Sequence, residues 1–344
     1  MIQDASSKRN LLCFVIPYFG KLPNTMNIFL QTIKFNPNYT WLLLTDDYAR
    51  YDYPNNVIVK QCSFSELRER IDNCFDFDIS LLKPFKLCDF KPAYGYIFQE
   101  ELKNYDFWGY CDTDQFFGNL SNWLTRDYLE KYDRVFGSGH MTIYRNCQEI
   151  NTLFMKEDSR ENLVFSNYKQ VFECSGNQAF DEILPNIVNI NFLAKQSGIR
   201  QSNDFFALDI APFNSKFLES FFYPSELRWD SPPDPSDFII LWDKGDLYKI
   251  EEQNGKVIKT PALYAHLQKR KLIVKNDIDF SSFVIVPNQI ILSATAFSDE
   301  QLKKYIKRMK KRSLFRIDEL QHWMKNNKAL IKHRVRKVKA LILK

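Results

Sequence analysis

What this chain lacks removes several common chemistries at the outset. Its 344 residues hold no G-x-G-x-x-G, no Walker-type lysine loop and no G-x-S-x-G. Dinucleotide oxidoreductase, P-loop NTPase and serine-hydrolase readings go with them. The seven cysteines (Cys13, Cys62, Cys74, Cys88, Cys111, Cys147 and Cys174) are odd in number and contain no C-x-x-C pair. Several sit inside apolar runs, so they read as reduced core thiols of a cytosolic protein, with neither a zinc site nor a disulfide framework. No apolar stretch reaches the ~18 residues that span a bilayer. The start is polar, the first apolar run breaks at Pro17 without a small-residue cleavage site, and no secretory signal is evident. There is no internal repeat.

What is present is a globular composition, 45% hydrophobic, long enough for one large α/β domain or two smaller ones. The net charge of +5 hides an asymmetry. Residues 299–344 carry 16 Lys and Arg against 4 Asp and Glu, which leaves 31 basic and 38 acidic residues in 1–298. A mildly acidic body and a basic tail predict different partners for the two.

Leu11 to Ile16 is a continuous apolar run closed by Pro17, Tyr18, Phe19 and Gly20, the pattern of a central parallel strand followed by a loop. The spacing predicts a helix over 24–35 and a second buried strand at 41–45, ending in Asp46 and Asp47. A third strand over 57–59 precedes a helix over 64–74, with Ser63 and Glu66 spaced as a capping box. This order predicts a layered α/β domain with a mostly parallel sheet. Ligands of such sheets lie beyond the carboxyl ends of the strands, so these strand ends would face one crevice. Further on the pattern predicts a helix over 93–102 and one strand over 134–146, loosened by Gly137 and Gly139. It also predicts helices over 151–157 and 164–172, a loop over 231–236 and a three-stranded antiparallel meander over 238–260.

The chemistry centres on residues 105–119, where an aromatic strand delivers Asp112, Thr113 and Asp114 into a turn-like Phe-Phe-Gly-Asn. In an extended chain positions i and i+2 project together, so the two carboxylates would converge on one hard divalent cation. Lys86, Asp89 and Lys91 stand in a short aromatic segment as candidates for phosphate and ribose. Gly139 and His140 belong to a stretch where a ligand, here the acceptor, would approach the backbone. Asp181 and Glu182 follow a flexible entry, and His266 sits beside the basic Lys269, Arg270 and Lys271.

Taken together, the D-x-D, the later Asp-Glu pair and the C-terminal histidine resemble the GT-A class of nucleotide-sugar-dependent glycosyltransferases. More narrowly, residues 14–20, 86–92 and 109–114 are similar to bacterial proteins associated with capsule and O-antigen assembly, the likeness spanning roughly 11–272. The resemblance implies a Rossmann-type GT-A catalytic domain over 1–272, with a nucleotide-binding half to about residue 120 and an acceptor half after it. It implies Mn²⁺ or Mg²⁺ on Asp112, Asp114 and His266, and a donor, most simply a UDP-hexose, contacted by Pro17, Tyr18, Phe19, Asp46, Asp47, Thr113 and Lys269. Asp181 or Glu182 would be the general base of an inverting enzyme or a sugar-hydroxyl ligand of a retaining one. The acceptor would be a growing or lipid-linked surface glycan. Rival readings are a metal-dependent nucleotidyltransferase or sugar-nucleotide hydrolase, and a carbohydrate-binding protein with a decayed site.

The remaining 273–344 reads as a C-terminal extension of basic amphipathic helices. Leu302, Tyr305, Ile306 and Met309 form one apolar stripe, and Ile331, Val335, Val338 and Ile342 another. Such helices suit an anionic membrane surface, which would place the enzyme peripherally on the inner face of the bacterial cytoplasmic membrane. Packing of the first stripe on the body competes with that reading, and specific nucleic-acid binding is not expected.

Overall fold

A computed structural model of the protein describes residues 9–211, 217–230, 237–268, 270, 272–275 and 278–313. The chain divides into two compact units, Met1–Ala207 with Phe221–Asp230, and Leu208–Ser220 with Ser231–Lys344. That division replaces the boundary at residue 272 with one that crosses the chain several times. The expected loop over 231–236, Lys269, Lys271 and the second apolar stripe lie outside the described residues.

In the first unit, apolar runs with no polar face become interior strands, because a strand covered on both sides has none to show water. Strands β1 (Asn10–Pro17), β2 (Tyr39–Thr45), β3 (Val57–Gln61) and β4 (Tyr105–Cys111) run parallel. A short β5 (Gln115–Phe117) follows. Then β6 (Arg134–Ser138) and β7 (Met141–Arg145) close the sheet antiparallel, in the order β3-β2-β1-β4-β7-β6. The mixed α/β architecture with a largely parallel, helix-flanked sheet is as the sequence predicts.

The chain adds β2 and β3 on one side of β1 and then β4 on the other. Strand order therefore reverses between β1 and β4, and in open sheets of this kind ligands bind beyond the carboxyl ends of the strands at such a point. Within the core, Phe14 stacks on Trp41 with centroids 5.5 Å apart, and Phe117 meets both edge-on or tilted, all three fully buried.

Helix α1 (Met26–Lys34) buries Ile28, Phe29, Leu30 and Ile33. Helix α2 (Phe64–Asp72) starts with the expected capping box: Ser63 accepts from the Glu66 N–H, and the Glu66 carboxylate accepts from the Ser63 N–H. The helix predicted over 93–102 is instead a string of single turns, Lys91–Ala93, Tyr94–Ile97 and Gln99–Leu102. The interruption falls at Phe98, whose φ of −107° and ψ of 26° leave the helical region, while Gly95, inside the turn before it, lies so close to the Trp108 ring that a Cβ there would fall 2.4 Å from it. The helices expected over 151–157 and 164–172 shrink to Gln148–Asn151, a 3₁₀ turn at Leu153–Met155, and Tyr168–Glu173.

The single strand expected over 134–146 is two strands. Phe136 and Gly137 hold positive φ of 73° and 100° at a register shift, and the chain reverses at Gly139 and His140. A bulge of this kind re-aims the side chains after it.

In the second unit the predicted meander is present as Phe238–Asp243, Asp246–Gln253 and Lys256–Ala262. It is half of a six-stranded sheet completed by Ser282–Val286, Gln289–Ser293 and Ile273–Lys275. The helix Asp299–Ser313 lays Leu302, Ile306 and Met309 against Ile239, Leu241 and Ile250. The first apolar stripe is thus spent on the protein's own core, which corrects its assignment to a membrane; Lys304, Lys307, Arg308 and Lys311 remain exposed on the other side. No helix among the described residues is long and apolar enough to cross a membrane.

Candidate active site

At the end of β1, the Tyr18 N–H donates to the Leu44 carbonyl at 2.8 Å, continuing the ladder one residue past Pro17. The Tyr18 side chain is half-buried, and burial together with Asp114 raises its phenol above the usual range. Tyr18 and Asp114 are therefore close enough for the carboxylate to act on the phenol. Phe19 turns away and meets Phe64 edge-on at 5.4 Å, at the head of α2.

Asp46 and Asp47, at the end of β2, are engaged by backbone. Asp46 accepts from Gly20 N–H at 2.6 Å, and Asp47 accepts from Leu22 N–H at 2.9 Å and Ala49 N–H at 3.0 Å. Those N–H donors hold the Asp47 carboxyl below its ordinary range. The pair ties the loop after β1 to the end of β2.

The three residues predicted to meet phosphate and ribose separate into two devices. Lys86 is buried and donates to Asp89 at 2.7 Å, to the Val171 carbonyl at 2.7 Å and to the Gly176 carbonyl at 2.8 Å. Three ammonium hydrogens have three protein acceptors, so none is left for a phosphate. Asp89 in turn accepts from the N–H groups of Gln178 and Phe180. This buried ion pair clamps residues 176–180, the segment that delivers Asp181.

Lys91 does something different. Its ammonium, at the start of the Lys91–Ala93 turn, donates to Asp112 Oδ1 at 2.8 Å and to the Gly139 carbonyl at 2.7 Å, with Asp181 Oδ2 at 3.5 Å. The Tyr110 ring lies 5.3 Å away. Burial alone would push the ammonium toward neutrality, but Asp112 and Asp181 reverse that and hold it charged.

Asp112 follows the last residue of β4, and Thr113 and Asp114 form the turn into β5. The two carboxylates are thus placed by a turn and not by strand alternation. Their oxygens still lie within 4.8 Å of each other. The Asp112 N–H donates to the His140 carbonyl at 3.0 Å, which fixes the turn against the β6–β7 reversal. Two carboxylates at this separation, half-exposed at a strand end, fit a hard divalent cation that completes its shell with water and phosphate oxygen.

Asp181 and Glu182 occupy a turn rather than a helix start, just after Ala179 at φ 50°. Asp181 is 3% exposed, while Glu182 is exposed. Burial pushes the Asp181 carboxyl up to about 8, against the opposing pull of Lys91. Gly139 makes room for both: a Cβ there would fall 2.6 Å from Glu182 Cγ and 3.1 Å from Asp181 Oδ2. The space this glycine leaves is filled by the two acids, where the sequence suggested a ligand. His140, beside it, is buried.

Two further residues support this turn and carry no signal of their own in the sequence. Arg134, fully buried, donates to Asn191 Oδ1 at 2.8 Å and to Gln201 Oε1 at 2.9 Å. Asn191 Nδ2 stands 3.5 Å from the Asp181 carbonyl.

In the second unit, His266 ends the strand Tyr264–His266, which pairs in parallel with Leu208–Ile210. Its Nδ1 lies 2.8 Å from Asp209 Oδ1, and both residues are buried. A carboxylate on one ring nitrogen fixes the tautomer and turns the other nitrogen into an acceptor or metal ligand. Asp209 lies 57 residues from His266, and nothing in the sequence paired them.

Lys91, Asp112, Gly139 and Asp181 are therefore one constellation, whereas Lys86, Asp89, Asp46 and Asp47 act on the backbone around it. All seven cysteines are free. Cys88, whose thiol feels Lys91, Asp181 and Asp112, is pushed up to about 12 by burial and offers no thiolate nucleophile. No curated protein matches the chain. Residues 14–294 do match the family of unknown function DUF6625, and the chain belongs to that family.

Proposed function

We propose that the protein is a metal-dependent glycosyltransferase of the GT-A type, moving a hexose from a UDP-sugar to a lipid-linked or growing surface polysaccharide. The observation that carries this reading is the buried Asp181. It is held one ammonium away from Asp112, at the carboxyl end of β4, where the strand order of the sheet reverses.

Asp112 and Asp114 would hold Mn²⁺ or Mg²⁺, whose charge stabilises the departing nucleoside diphosphate. Tyr18, half-buried at the end of β1, offers an aromatic face to the nucleobase. Asp181 is suited to general-base work, because its carboxyl titrates near about 8, close to the pH at which it would act. It takes the proton of the acceptor hydroxyl as that oxygen attacks the anomeric carbon, and the electron pair of the breaking C–O bond leaves on the β-phosphate. Glu182, exposed beside it, is placed to orient acceptor hydroxyls.

The test is product analysis with UDP-hexoses, Mn²⁺ and glycan acceptors. Nucleoside diphosphate should appear only when an acceptor is supplied. Release of nucleoside monophosphate, or acceptor-independent turnover, would instead favour a nucleotidyltransferase or hydrolase.

Membrane docking is proposed for the segment after Ser313, since the helix before it is packed into its unit. Full-length protein should sediment with phosphatidylserine vesicles, and a chain ending at Ser313 should remain in the supernatant. Equal sedimentation of the two would remove the tail from the account. Ending the chain at Asp299 is a poorer test, because it would strip Leu302 and Ile306 from the core of the second unit.

A further inference from the structure

We propose that Lys91 is a resident competitor for the divalent cation, and that it makes metal occupancy of Asp112 contingent on the arrival of the nucleotide's diphosphate. This rests on the metal-dependent reading above and assigns Lys91 a role that reading does not require.

The geometry is specific. Lys91 occupies Oδ1 of Asp112, at 2.8 Å, and is anchored on the other side by the Gly139 carbonyl at 2.7 Å. Its side chain is only 11% exposed, against 40% for Asp112. The ammonium is therefore walled in by Tyr110, the β6–β7 reversal and Asp181, and cannot swing out to solvent when a second cation arrives. An ion bound to the other oxygen of Asp112, at about 2.1 Å, would stand roughly 5 Å from a fixed positive charge. Like charges that close, in a partly desolvated site, weaken binding of the ion alone by about tenfold or more.

A diphosphate changes the sign of the balance. Its oxygens carry negative charge to the same place, and Lys91 then attracts the incoming complex where it repelled the bare ion. Free metal would be held weakly and metal with diphosphate tightly, so the site recognises the pair. Linkage requires the converse as well: the metal must raise the diphosphate's affinity by the same factor by which the diphosphate raises the metal's.

The experiment measures Mn²⁺ binding directly, from the free-ion paramagnetic resonance signal, with no ligand, with UMP and with UDP. In the wild type, UDP should tighten Mn²⁺ binding far more than UMP does. Lys91→Met should bind Mn²⁺ alone about tenfold or more tightly than wild type, with a correspondingly smaller gain from UDP. Lys91→Arg, which keeps the charge, should follow the wild type.

A purely structural lysine predicts the opposite, since Lys91→Met would then loosen Mn²⁺ binding with and without UDP, and that result overturns the proposal. Should Lys91→Met not fold, the wild-type series still decides: equal Mn²⁺ affinity with UDP, with UMP and alone overturns it. Failure of the parent reading looks different. In that case Mn²⁺ fails to bind under any condition, or binds equally after Asp114→Ala, and both ideas fall.

Discussion

Asp114→Ala should lower acceptor-dependent turnover by about a thousandfold. The size comes from what a metal ligand supplies: removing one preorganised charge-stabilising group costs about 10²–10³ in rate, and losing a ligand also lowers metal occupancy. Asp114 sits in the β4–β5 turn, while the carboxylates paired with Lys91 are those of Asp112 and Asp181. Asp112→Ala should be at least as damaging to turnover but should also destabilise, since it takes from buried Lys91 the acceptor at 2.8 Å. Mn²⁺ titration of activity and thermal unfolding of both variants check the two halves. Turnover within tenfold of wild type for Asp114→Ala would remove Asp114 from the metal site.

The contrast between these two aspartates shows how far a sequence can be read before it is folded. The D-x-D, its aromatic approach and its place at a strand end are local features, and local features are legible: an apolar run has to be covered, and the polar residues that close it mark where the covering stops. The Ser63–Glu66 capping box and the meander over 238–260 are legible for the same reason, each being complete within a few residues. The partners of Lys91 are not. Asp112 lies 21 residues away and Gly139 lies 48 away, so only the folded sheet brings them together.

Long-range packing likewise overrode local propensity. The 93–102 helix breaks at Phe98, which is fully buried beneath the Arg70 guanidinium, and the apolar stripe from Leu302 to Met309 reads equally well as a membrane face or a core face until the sheet beneath it is known. One clue was missed although it was present. Ser282–Val286 and Gln289–Ser293 are two β-rich runs joined through Pro287 and Asn288, which is a hairpin signature, and Asn288 indeed takes a positive φ of 69°.

Asp181→Asn should make the protein more stable in alkali and nearly inactive. In the folded chain the carboxyl keeps its proton up to about 8, because burial raises it against the pull of Lys91. Unfolded, it loses that proton near about 4. Between those values the folded state binds the extra proton, so this group's contribution to stability is complete below about pH 4 and is lost as pH rises through about 8. Each unit of displacement is worth about 1.4 kcal/mol, so the wild type should lose on the order of a few kcal/mol across the window. Asparagine carries no proton to lose, and the slope should flatten.

Turnover should move the other way. The wild-type rate should rise with pH toward about 8 as the base is freed, and Asp181→Asn should fall by about 10²–10⁴, the usual contribution of a positioned base. Glu182→Gln, changed at an exposed position, should leave the stability profile alone and reduce turnover far less. A structural aspartate would lose stability when replaced and take activity down with it; only a carboxyl held against its preference for use in the reaction gains stability as it loses rate. Urea unfolding at pH 5 and pH 8.5, set beside initial rates at the same two pH values, separates these cases, and a stability loss for Asp181→Asn at both would end the general-base assignment.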